Sequence, residues 1–337
     1  LSIIVSPNMK NSIFYIGIFI ILGIPFYFVT KLYFSNVKNL SKSMALFIKS
    51  NVFFAIIFSS ISLYLHSIAK YPYERMTFPG VYPIMFCLFL CLALLFLVLY
   101  YIKPTLKKSL SKKSRLLFSL PVLGIVIFSI IKSNTRGPVF ALILAFVTVL
   151  FVFFKIKFKV KVIQNFFLVV ITGFVSFITF FDVNKIASRF VNLYTENSDS
   201  ISPRLIAYFD SLKILITRPW GISVGTFGEY YTGADGAEGS YAHNLFMELI
   251  SSFGLIGLII CFVIIIQSLK EYNFIVKYQK EIFSDHLFLI SIVLFLFFFF
   301  ETQFSFTLNT HKGWYLSMAL YSVFKWNFLK NNQSEIT

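Results

Sequence analysis

Tyr241-Ala242-His243-Asn244-Leu245-Phe246-Met247-Glu248-Leu249-Ile250-Ser251-Ser252-Phe253-Gly254-Leu255-Ile256-Gly257 stands where a long polar stretch runs into a long apolar one. Read as one helix at about 3.6 residues per turn, it places His243 nearly in line with Gly254 and Gly257. One stripe then carries an imidazole at its mouth and two positions without side chains below it, where another helix could approach closely. The apolar run continues to about residue 268, long enough to cross a bilayer. A histidine at the mouth of such a span, under a polar loop, is a candidate proton acceptor.

The rest of the chain is apolar in the same way. It is 58% hydrophobic and 20% aromatic, with 45 Phe and only 13% charged residues. A soluble core cannot absorb that much apolar surface, so the composition implies an integral membrane protein. The spans show no two-residue alternation, which favours an all-α bundle over a barrel. About nine apolar segments are expected, at about 12–30, 45–69, 81–102, 115–131, 138–154, 162–181, 243–268, 286–308 and 312–327. The expected organisation is a transmembrane bundle over 1–181, a loop over 182–242 and further transmembrane helices over 243–337. The chain opens at Leu1, with Ile3 to Val5 before a polar break, and we expect that one or more N-terminal spans precede it.

The charge of +16 does not point to nucleic acid, because the basic residues sit mostly in short loops between apolar runs. Lys31, Lys38, Lys42, the cluster from Lys103 to Arg115, Lys155 to Lys161, Lys270, Lys277, Lys280, Lys325 and Lys330 mark one face as cytoplasmic. The 182–242 loop is then expected on the far side, which in a bacterium is periplasmic or extracellular. Cys87, Cys91 and Cys261 all lie in apolar runs and read as buried small hydrophobes.

Within the loop, Ser202-Pro203 reads as a helix start and Arg218-Pro219 as its stop. Leu205, Tyr208, Phe209, Leu212, Leu215 and Ile216 recur between them at helical spacing. The resulting helix, about 203–217, is too short to span and suits either a membrane surface or the cover of a cavity. The glycine-rich 232–240 stretch reads equally as a mobile cover or a solvated linker.

Three arginines on the same far face are candidate anion contacts. Arg136 precedes a span that opens at Gly137-Pro138, where a guanidinium and unpaired N–H groups favour a phosphate. Taken alone it fits an interfacial anchor slightly better. Arg204 lies in the first turn of the loop helix, where the dipole disfavours a cation unless an anion compensates. Two arginines at two helix starts make a pyrophosphate site, against pairing of Arg204 with Asp199 or Asp210. Arg75 is a weaker third contact, with Glu74 as its alternative partner. His66, His286 and His311 read as structural, and Glu301 is a membrane-edge carboxylate without an identified partner. No ligand-like cluster supports a metal, and no P-loop or dinucleotide fingerprint supports a nucleotide cofactor.

His243-Asn244 followed by Gly254-Leu255-Ile256-Gly257 resembles the signature of the O-antigen ligase and polymerase superfamily, bacterial polytopic membrane glycosyltransferases. Thr135-Arg136, Ser202-Pro203-Arg204-Leu205-Ile206-Ala207-Tyr208, Arg218-Pro219-Trp220-Gly221 and Gly225-Thr226-Phe227 resemble its arginine motifs and loop. His66-Ser67-Ile68 and Arg75 to Gly80 look like the corresponding loop of O-antigen ligases. The resemblance covers roughly residues 60 to 265. It implies a GT-C-like helical enzyme that works without metal or cofactor. Its donor would be a glycan on undecaprenyl diphosphate, and its acceptor lipid A–core or, in a polymerase, a second lipid-linked repeat unit. It further implies His243 as general base, Arg136 and Arg204 as diphosphate contacts, Arg75 as an accessory contact, and Gly254 and Gly257 as structural. A lipid-linked-oligosaccharide flippase would call for charges at mid-depth in the spans and inverted repeats, and neither is visible.

Overall fold

The computed structural model describes residues 6–68, 76–102, 112–133, 135–153, 202–233, 241–304 and 312–333. Among these the structure is helical and contains no strand. The reason is compositional: long apolar segments with few polar side chains can satisfy their backbone groups only within a helix. Two compact units emerge, and each is taken by itself. One comprises Asn36–Val183 with Lys280–Val293, the other Leu1–Ser35, Asn184–Gln279 and Leu294–Thr337.

The first unit is built from α3 (Leu40–Ile68), α4 (Pro83–Ile102), α5 (Lys112–Ser133) and α6 (Gly137–Phe153). The α4 helix packs against the other three. Its fully buried residues Phe86, Cys87, Leu90, Cys91, Leu95 and Phe96 explain why it is apolar nearly all round. The side chain of Asn39 caps α3 by accepting the Lys42 N–H at 2.9 Å. Cys87 and Cys91 are free and buried.

In the second unit, α1 (Met9–Ile18) continues through a π-helical turn at Phe19–Gly23 into α2 (Ile24–Asn36). The same unit also holds α7 (Ser202–Thr217), α8 (Leu245–Phe253), α9 (Leu255–Lys277) and α12 (Lys312–Gln333), whereas α10 (Gln279–Ser284) falls almost wholly in the first unit and α11 (His286–Glu301) is divided between the two at Val293. The α7 helix starts at Ser202 and ends just before Arg218-Pro219, as the Ser-Pro and Arg-Pro signals specify. An ion pair, Lys325 to Glu271 at 2.5 Å, ties α12 to α9, and Tyr321 and Gln267 complete the shell of that carboxylate.

Three described helical stretches are long and apolar enough to cross a membrane: Met9–Asn36, Leu40–Ile68 and Leu255–Lys277. Shorter apolar helices cover Pro83–Leu99, Pro121–Ser133, Gly137–Val152 and His286–Glu301. Of the about nine expected spans, three have membrane-crossing length among the described residues, four more are represented by shorter apolar helices, and the 162–181 segment lies outside the described residues.

The single helix expected from His243 onward does not exist. Asn244 caps α8, so His243 lies before the helix, and Gly254 breaks the run with φ 59° and ψ −130°. The physical reason is local. A residue in that region of backbone space cannot continue an α-helix, and glycine enters it without penalty. The close approach at Gly257 is to the preceding helix: a Cβ there would land on the Leu249 carbonyl of α8. A Cβ at Gly254 would strike the Pro219 carbonyl. The two glycines therefore serve an elbow in which α9 folds against α8, around Leu245, Leu249, Ile250 and Cys261.

Candidate functional site

The site is assembled in the second unit from α7, the loop that follows it and the start of α8. Ala207 and Ile214 on one face of α7 pack with Ile222, Phe227 and Ala242 into a small buried cluster. Asp210, on the same helix, is buried and accepts the Thr232 N–H at 2.8 Å and its hydroxyl at 3.1 Å. That carboxylate clamps the loop to the helix, so it is not free to pair with Arg204. Further along, Ile222 N–H donates to Ser251 O and Ser223 N–H to Ser252 O, both at 2.9 Å. Leu255 N–H donates to Pro219 O at 2.8 Å. The first two bonds occupy carbonyls that the end of α8 would otherwise leave unmatched, and the third ties the start of α9 to the loop.

Ala242 belongs to the cluster and His243 follows it at φ 54°, one of two described non-glycine residues with positive φ. An L-residue there costs of order 1–3 kcal/mol, and such strain concentrates at functional positions. The strain is maintained from the other side. The Asn244 side chain accepts the Phe246 and Met247 N–H groups at 2.9 and 3.2 Å, and Leu245 N–H donates to Thr302 O at 3.0 Å. With those amides engaged, the start of α8 is not itself an anion cradle. Any anion beside His243 must be held by a side chain.

The imidazole lies against the Tyr241 ring with centroids 4.0 Å apart, and its Nδ1 is buried with no protein partner among the described residues. Its pKa is lowered from 6.5 to about 4, first by burial and second by the positive charge of Arg204. Arg204 is half-buried in the first turn of α7. Among the described residues no carboxylate or carbonyl holds its guanidinium. Among the described residues the structure thus sets a neutral imidazole with an unmatched nitrogen within electrostatic reach of a cation that none of them compensates. Chemically, that pair can bind an anion and accept a proton from a neighbouring hydroxyl.

The other sequence candidates are placed differently. Arg136 stands at the start of α6, where its carbonyl accepts the Phe140 N–H at 3.0 Å. It belongs to the first unit and is engaged within the protein. Arg75 and Asp199 lie outside the described residues. Glu248 is buried in the first turn of α8 and acts electrostatically on Tyr315. Glu301 is buried at the end of α11, one residue before the Thr302 anchor. Two contributors were not assigned from the sequence: Tyr241, the ring under the imidazole, and Asn244, the cap that fixes where α8 starts. A cap residue before an apolar helical run was the available signal for Asn244. Tyr241 gives none without coordinates.

Residues 121–262 match the model of the O-antigen ligase family. That match, which encloses Arg136, Arg204, His243, Gly254 and Gly257, supports the O-antigen ligase and polymerase superfamily for this chain. No curated protein and no solved structure matches it.

Proposed function

We propose that this chain is a membrane glycosyltransferase of the O-antigen ligase type. It would move a glycan from undecaprenyl diphosphate to lipid A–core at the periplasmic face of the bacterial inner membrane. The observation that carries the proposal is the electrostatic pairing of buried, neutral His243 with Arg204, which no described residue compensates. In the reaction the acceptor oxygen bonds to the anomeric carbon as the carbon–oxygen bond to the diphosphate breaks. The bonding pair leaves with undecaprenyl diphosphate, and the hydroxyl proton goes to His243. Attack opposite the leaving group inverts the anomeric centre. Arg204 binds the departing diphosphate, whose charge rises as the bond breaks, and this is where a guanidinium lowers a barrier. Arg136 and Arg75 are proposed as further contacts to substrate.

Anion binding and base strength are coupled in this arrangement. A diphosphate on Arg204 offsets the positive charge that disfavours imidazolium, so the donor itself raises the basicity of His243 toward the useful range. Free of donor, the histidine stays neutral and ready to accept a proton.

The test is lipopolysaccharide from a deletion strain complemented with His243→Ala or Arg204→Ala. Both variants are expected to insert normally while polymer attached to lipid A–core disappears and lipid-linked polymer accumulates. Undiminished attachment in either variant defeats the proposal. A second reading, the polymerase, rests on the same family match and is distinguished by the same gel. There the loss of function leaves core capped with a single repeat unit.

A further inference from the structure

Two faces of α7 are apolar, and only one of them is used inside the protein. Ala207, Ser211 and Ile214, with Asp210 beside them, form the buried face. On the opposite side Leu205, Phe209, Leu212 and Ile216 are exposed by 49, 70, 42 and 81%. At 100° per residue these four fall within an arc of about 60°, one continuous stripe along the helix. Leaving four large apolar side chains in water is unfavourable, and scattered surface apolar residues do not align in this way.

We infer that the Leu205–Phe209–Leu212–Ile216 stripe of α7 docks into the lipid bilayer, so that this helix lies in the membrane interface with its axis near headgroup level. The occupant is a bilayer for three reasons on the same unit. The α9 helix is of membrane-spanning length and exposes Ile259, Phe262, Val263 and Ile266 around its surface, so the unit is embedded in lipid. The stripe is flanked by cations about a quarter-turn away on either side, Arg204 on one and the exposed Lys213 on the other. This is the pattern of an interfacial helix, whose basic flanks meet lipid phosphates. Finally, Trp220, 51% exposed just beyond the helix, is the residue type that anchors at the headgroup boundary.

The consequence concerns the site, and it rests on the proposed function only in this respect. With the stripe facing down into lipid, Arg204 points sideways along the plane of the headgroups. A diphosphate carried on a membrane-anchored lipid then reaches the guanidinium by lateral movement, without leaving the bilayer. The bilayer contact itself does not depend on catalysis.

The experiment is nitroxide scanning of the full chain in liposomes of phosphatidylethanolamine and phosphatidylglycerol. Single cysteines replace Leu205, Phe209, Leu212, Ile216 and, as a solvent-facing control, Thr217, in a background where Cys87, Cys91 and Cys261 are serine or alanine. Labels at the four stripe positions are expected to collide with oxygen several-fold more often than with a water-soluble nickel chelate. Their depth should be about 5–10 Å below the phosphates, with the order reversed at Thr217. Nickel accessibility at Phe209→Cys and Ile216→Cys equal to that of Thr217→Cys overturns the inference. So does immobilisation of those labels with access to neither reagent, which means a protein segment or a second copy covers the stripe. If the stripe is in lipid while His243→Ala retains ligation, the proposed function falls and the docking stands. The converse pair of results separates them the other way.

Discussion

Replacing Arg204 with glutamine removes a charge while keeping a polar side chain of similar reach, and the response of His243 can be worked out beforehand. The imidazole titrates at about 4 in place of 6.5, with burial the larger cause and Arg204 the second. About 2.5 pH units separate these values, a ceiling of roughly 3.4 kcal/mol at 1.36 kcal/mol per unit. Because burial is the larger cause and Arg204 the second, the Arg204→Gln variant should titrate above about 4 but still below the ordinary 6.5. The measurement is NMR of histidine labelled at Cε1, in detergent or nanodiscs, with the His243 signal assigned by its loss in His243→Gln. Adding inorganic pyrophosphate should raise the midpoint in the native protein and do little in the variant. The linkage follows with its sign. The folded pKa lies below the unfolded one, so the folded state binds fewer protons between about 4 and 6.5. The stabilising contribution is complete above about 6.5 and is lost as pH falls through about 4. Partial exposure of the ring screens the effect, so the loss should be roughly half the ceiling, about 1.5–2 kcal/mol. A native midpoint at the ordinary histidine value, or one that Arg204→Gln leaves unmoved, refutes the reasoning.

Two further outcomes test the packing. Gly257→Ala and Gly254→Ala each drive a Cβ into a backbone carbonyl, and Gly254 also has a left-handed φ, so both should lower the thermal midpoint in detergent. The cost is about 1–3 kcal/mol for Gly257 and more for Gly254, whereas Gly124→Ala, with open space around it, should be neutral or slightly stabilising. At the α9–α12 ion pair, Lys325→Met leaves the Glu271 carboxylate half-compensated and should cost about 2 kcal/mol, less than a fully buried pair because both side chains are partly exposed. Combining it with Glu271→Gln should recover most of the loss in a double-mutant cycle, and additive losses would show that the two residues do not interact.

Much of the architecture was legible in the residues because the causes are local. A chain dominated by Phe, Leu and Ile has to satisfy its backbone within helices, whatever their final lengths. Ser202-Pro203 and Arg218-Pro219 bounded α7 correctly, since a cap, a ring-locked φ and a missing donor act over one turn. The positions of Arg204 at a helix start and His243 at a loop end were likewise visible from the residues. The stripe through His243, Gly254 and Gly257 was misleading, because periodicity presumes an unbroken helix and cannot report a φ of 59°.

The sequence by itself determined that this is a helical membrane protein with a polar loop carrying a cation and an imidazole. Tertiary structure alone decided that residues 39 positions apart share a field, that Asp210 is spent on Thr232, and which face of α7 is left uncovered. The difference is physical. Helix formation and capping depend on neighbours within a few positions, whereas desolvation, electrostatic proximity and the coverage of a face depend on atoms brought together from distant parts of the chain.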